Sequence, residues 1–275
     1  MENYTEKCKI EDIMKSLNYT YAKRYGEICH PLLPLLGEDN TAAVLKVCAN
    51  YEKITGDKLL ITSLNNFVGG LLQYVGKETV ARIFKASNKA LIDNKSAKQF
   101  TEILCMSKEI ARTLNDQGNA NLTSRVYDIL EDFGKQAEYT GLPAMVNLAG
   151  VSTDVIKYGG IDGLECLKEI ALYVAPGGLR ATKELIKHGP KAIEGITQRN
   201  KAGLVRHVLR VCMEINNGYL AAALFINSPM ILADVNDKFD KLLIDKIKSM
   251  KIEDAMKFIE KNEEYQIFIK KMKKY

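Results

Sequence analysis

The side chains in this sequence best suited to nucleophilic or metal chemistry are three histidines, His30, His188 and His207, and six cysteines, Cys8, Cys29, Cys48, Cys105, Cys166 and Cys212. They are scattered along the chain, with no His-x-x-x-His or Cys-x-x-Cys pattern among them. A zinc centre would have to draw Cys or His ligands from separate segments, and only Cys29-His30, just before Pro31, offers two together. A Cys–His nucleophile pair could assemble only through the fold, because such pairs form in space rather than along the chain. The glycine cluster Gly159-Gly160-Ile161-Asp162-Gly163 lacks the lysine and the preceding strand of a phosphate-cradling loop. Asp162 as N-cap with Glu165 as its reciprocal partner explains it as a helix start. No metal or cofactor is expected, and no catalytic motif is encoded.

Charge is the more informative chemistry. The net surplus is five positive charges over 275 residues, but it is unevenly spread. From Pro176 to Cys212, eight basic residues (Arg180, Lys183, Lys187, Lys191, Arg199, Lys201, Arg206 and Arg210) stand against Glu184 and Glu194, a local surplus of six. From Gln99 to Tyr139, four basic residues stand against seven acidic ones. Arg180, Lys183 and Lys187 share one helical face, and Arg206 and Arg210 are one turn apart in the next segment, so two helices are expected to present a single cationic surface. Such a surface suits phosphate contacts, which supply affinity without sequence readout. The window holds no aromatic residue to stack an unpaired base.

The elements that must carry these residues are helices. Phe100, Ile103, Leu104, Ser107, Ile110, Ala111 and Leu114 keep a 3.6-residue period, and Ser96 with Gln99 makes a capping box at its start. Similar stripes run through Val44 to Tyr51, Leu60 to Val75, Val80 to Leu91, Val126 to Phe133, Leu164 to Val174, Phe239 to Ile247 and Tyr265 to Met272. The Leu60 to Val75 stripe passes through Gly69-Gly70, which predicts a close helix neighbour or a local kink there. Turn chemistry falls between the stripes, at Gly37, Thr55-Gly56-Asp57, Tyr158-Gly159-Gly160, Pro176-Gly177-Gly178, Gly189-Pro190 and Asn216-Asn217-Gly218 among others. No segment alternates as a strand does. The expected fold is all-α, about a dozen helices in antiparallel pairs, as an irregular α-solenoid or a globular helical bundle. A single helical domain over 1–275 is expected, with a weak subdivision near 140–143.

The most apolar stretch, Tyr219 to Ile226, is interrupted by Asn227-Ser228-Pro229 before Met230 to Ala233. A core helix followed by a turn is expected there, and no transmembrane segment, since a span needs about 20 apolar residues. The polar N-terminus is no secretory signal and the dispersed cysteines read as reduced thiols, so a cytoplasmic location is expected. The lysines of the C-terminal Ile269-Lys270-Lys271-Met272-Lys273-Lys274 complement a helix dipole. Taken together, the sequence reads as a non-enzymatic interaction scaffold with a protein partner. Nucleic-acid binding through Arg180 to Arg210 is the second reading, and an enzyme whose site is assembled from dispersed residues the third.

Overall fold

The computed structural model describes residues 19–94, 97–136, 141–199, 203–214 and 217–234. The stripes beyond residue 234, the lysine-rich C-terminus, Cys8, Lys201 and the capping residue Ser96 lie outside the described residues. Ten α-helices and two short 3-10 turns make up the described residues, which contain no strand, as the helical periodicity predicts. The chain divides into two compact units between Glu131 and Asp132.

The first unit holds α1 (Tyr19–Leu36), α2 (Glu38–Thr55), α3 (Leu59–Leu72), α4 (Lys77–Asn94), α5 (Ala97–Asp116) and the first part of α6 (Thr123–Gln136). Gly37 alone links α1 to α2; its φ of 76° is left-handed backbone, which glycine adopts without steric penalty. Folding back at Gly37 lets the Tyr25 hydroxyl donate to Glu52 at 2.9 Å. α2 packs mainly on α4, and α5 packs on α4. All seven residues of the α5 stripe, Phe100 through Leu114, are buried. Its polar member, Ser107, donates to the Ile103 carbonyl and accepts from the buried Tyr127 hydroxyl at 2.6 Å, so burial leaves neither group unpaired. Gly70 in α3 faces a side chain: a Cβ there would lie 3.2 Å from Lys108 Nζ, while one on Gly69 would meet nothing within 4 Å.

The second unit holds α7 (Gly141–Val174), α8 (Leu179–Thr197), α9 (Leu204–Met213) and α10 (Gly218–Asp234). α7 is broken at Gly160 (φ 63°, ψ −165°), which falls in the predicted Tyr158-Gly159-Gly160 turn. The helix restarts immediately after Gly160, so Asp162 lies inside its first turn rather than at the cap the sequence suggested. An acidic residue is favoured there by the helix dipole.

α8 has its most extensive contacts with α7 and then with α10. Glycines allow that approach. A Cβ on Gly159 would sit 2.5 Å from Ile193 Cγ2, one on Gly189 2.5 Å from Leu167 Cδ1, and one on Gly195 2.6 Å from Pro229 Cβ. Two expected helix ends are overturned here. Gly189-Pro190 lies buried in the interior of α8, and Asn227-Ser228-Pro229 lies in the interior of α10. A proline inside a helix removes the donor that would serve the carbonyl four residues back. In α10 that carbonyl belongs to Phe225, and the Ser228 hydroxyl donates to it at 2.7 Å. The side chain thus supplies the bond that the backbone lacks there.

Candidate functional site

α8 begins after Gly178, whose φ of 106° only glycine adopts readily. Ala181, Thr182, Leu185, Ile186, Gly189, Pro190, Ala192, Ile193 and Ile196 are its buried residues. Their spacing leaves the opposite face for Lys183, Lys187 and Lys191, all exposed, with Arg180 half-buried on the same side. Lys183 and Lys187 make no ion pair with a described residue. Glu184, beside this row, lies 3.7 Å from His188 Nε2. The first turn of α8 holds no acidic residue. Arg180 sits within that turn and Lys183 just past it, where the positive end of the helix dipole disfavours cations. Helix stability alone therefore gives no reason for the two charges.

The remaining predicted site residues lie past the end of α8 or on α9. The Arg199 guanidinium, just past the end of α8, donates to the Pro229 carbonyl at 3.4 Å. Arg206 turns towards α7: its Nη2 is 3.7 Å from Glu165 and its Nη1 3.7 Å from Glu169. α9 packs chiefly on α7 and α10 and less on α8. Arg210 is exposed, one turn beyond Arg206. The structure thus aligns Arg180, Lys183, Lys187 and Lys191 on one helix and neutralises Arg206 against two carboxylates. The sequence carried a signal for that neutralisation, since Glu165 and Glu169 are one helical turn apart, but which cation they meet is set by the packing of α9 on α7.

A cleft of about 500 Å³ opens at the α7 break, lined by Tyr158, Asp162, Cys166, Thr197, Leu204 and Arg206 among others. Two of its polar side chains, Thr197 and Arg206, are already engaged. The Thr197 hydroxyl donates to the carbonyls of Ile193 and Glu194, and Arg206 is held by its two carboxylates. Burial pushes the Cys166 thiol up to about 11, which the nearby Arg206 lowers only in part, so the sulfur stays protonated at neutral pH and is a poor nucleophile. Cys29 and His30 diverge on α1, the cysteine buried and the histidine exposed. Glu27, three residues before His30, makes a Glu-x-x-His step with it, and it too is exposed. Among the described residues no group of three or more His, Cys, Asp or Glu side chains could hold a metal ion, and no helix is long and apolar enough to cross a membrane.

No protein-family model, no curated protein and no solved structure matches this chain.

Proposed function

We propose that the protein is a non-catalytic helical interaction protein that receives an anionic macromolecular partner on the lysine face of α8. One observation carries this reading. Lys183 and Lys187 stand exposed on a helix whose other face is sealed into its unit, and no described carboxylate neutralises them, whereas Arg206 is met by Glu165 and Glu169. Two unneutralised ammonium groups, those of Lys183 and Lys187, on a rigid element attract an opposite potential, and charge complementarity mainly sets encounter rate and orientation. The cleft at the α7 break supports an enzymatic reading less well, because its thiol is protonated and its arginine is already paired.

The test is retention of the full chain on immobilised heparin, a generic polyanion, under a salt gradient. The double reversal Lys183→Glu with Lys187→Glu is expected to elute at clearly lower salt than the parent. Reversing Lys46 and Lys85, two exposed lysines of the first unit, changes the net charge equally and is expected to shift elution much less. Equal shifts for the two double variants would mean that only net charge matters, and the α8 face would lose its role.

A further inference from the structure

We infer that Asn217 is a self-modification site: its side-chain amide condenses with the backbone nitrogen of Gly218 and is lost as ammonia, which turns the neutral cap of α10 into an aspartate cap. The inference is independent of the docking role of α8.

The chemistry requires the nitrogen that follows an asparagine to reach that asparagine's Cγ. A Cβ on the following residue hinders the approach, and glycine has none. Asn217-Gly218 is the one Asn-Gly pair in the sequence. Asn217 stands at the start of α10, where its backbone carbonyl accepts from the Ala221 N–H at 2.9 Å and its Oδ1 accepts from the Leu220 N–H at 3.0 Å. The second of these is an N-cap bond, and by polarising the Cγ–Oδ1 group it makes Cγ more electrophilic. Gly218 is the first residue of α10, so the helix makes no use of its N–H. That nitrogen therefore gives up no helical hydrogen bond when it attacks. Both residues are partly exposed, which lets water in. Asn227-Ser228, in the interior of the same helix, meets none of these conditions. Asn227 is 2% exposed, and its Nδ2 donates to the Ala223 carbonyl at 2.9 Å.

In the first step the Gly218 nitrogen bonds to Cγ of Asn217 and loses its proton to water. Nδ2 takes up a proton and leaves as ammonia, closing a five-membered succinimide. Water then opens the ring, with no change of oxidation state. Attack at Cγ restores the original peptide bond and leaves aspartate, whereas attack at the main-chain carbonyl leaves isoaspartate, with the chain running through Cγ. Aspartate caps a helix as well as asparagine does, and its charge suits the positive end of the helix dipole. Isoaspartate lengthens the main chain by one methylene where Gly218 already lies against α7, since a Cβ there would be 3.4 Å from the Tyr173 carbonyl oxygen. The fold accepts the first product and opposes the second.

The experiment incubates the full chain at neutral and at mildly alkaline pH, cleaves it, and follows each asparagine by tandem mass spectrometry, with isoaspartate separated from aspartate by chromatography. Asn217 is expected to convert well ahead of Asn227 and the other asparagines, faster at the higher pH, and with aspartate in excess. Gly218→Ala, whose methyl group fits in ordinary contact with α7, is expected to slow the conversion about tenfold. Asn217→Asp is expected to keep the thermal midpoint of the parent or raise it. Conversion spread evenly over the asparagines, a rate unchanged in Gly218→Ala, or an intact Asn217 after a urea-unfolded sample has converted would each overturn the modification site. Isoaspartate in excess in the folded chain, or a lower midpoint for Asn217→Asp, would overturn the aspartate cap.

Discussion

Arg206 and Lys187 carry the same formal charge, and their neighbours give them different roles. The Arg206 guanidinium lies 3.7 Å from both Glu165 and Glu169, so Arg206→Glu would place three carboxylates together where two were neutralised. Half-exposed ion pairs contribute roughly 0–1 kcal/mol each, and reversal adds repulsion to their loss, so Arg206→Glu is expected to destabilise the fold by about 1 kcal/mol or somewhat more. Lys187→Glu removes no ion pair with a described residue and is expected to stay within about 0.5 kcal/mol of the parent. Chemical denaturation of the two variants checks the contrast; equal losses would show that Arg206 is not held as described. At this scale the candidate site was legible in part. The spacing of Arg180, Lys183 and Lys187 predicted their common face, because helical periodicity is a local property; the structure adds the exposed Lys191 to it. The expectation that Arg206 would extend that face failed for a non-local reason: α9 docks on α7, whose Glu165 and Glu169 are about 40 residues away in sequence.

Helices themselves were the most legible elements. The stripe from Phe100 to Leu114 marks a helix whose apolar side is buried residue by residue. What local rules misjudged were Pro190 and Pro229, two of the prolines in helix interiors; Pro31 and Pro34 also lie inside α1. Gly189-Pro190 and Ser228-Pro229 have the chemistry of turns, yet both are held in helices by tertiary packing, Gly189 against Leu167 and Pro229 against Gly195. In α10 the repair is visible, since Ser228 donates to the carbonyl that Pro229 leaves without a backbone donor. Ser228→Ala is therefore expected to strand the buried carbonyl of Phe225 at a cost of about 1–3 kcal/mol. In a Pro229→Ala background, where a backbone N–H is restored, the same substitution is expected to cost markedly less. A double-mutant cycle of unfolding free energies measures that coupling. Additive losses would mean that Ser228 does not replace the missing bond.

For the molecule as a whole, buried thiols tie stability to pH. Burial pushes Cys29 and Cys166 up to about 11 from 9.0, and full burial pushes Cys48 and Cys212 up as well. The Tyr127 hydroxyl is raised too, because its burial outweighs its bond to Ser107. Each of these groups is held neutral in the fold. Unfolded thiols release protons near pH 9 while folded ones keep theirs, so the unfolded chain binds fewer protons above that point. The stabilisation is whole below about pH 9 and declines as the pH rises towards 11. Thermal midpoints are expected to fall between pH 8 and pH 10.5 by more than between pH 7 and pH 8, and a flat profile across the upper interval would contradict the burial of these thiols. The glycine contacts of α8 have a different consequence, for recognition. Ile193 seats against Gly159, Leu167 against Gly189 and Pro229 against Gly195, so the lysine-bearing helix is registered at several points along its length and cannot slide by a turn. The interval between Lys183 and Lys187 is therefore a fixed graduation, set by the helix itself and not adjustable by sliding along its neighbours.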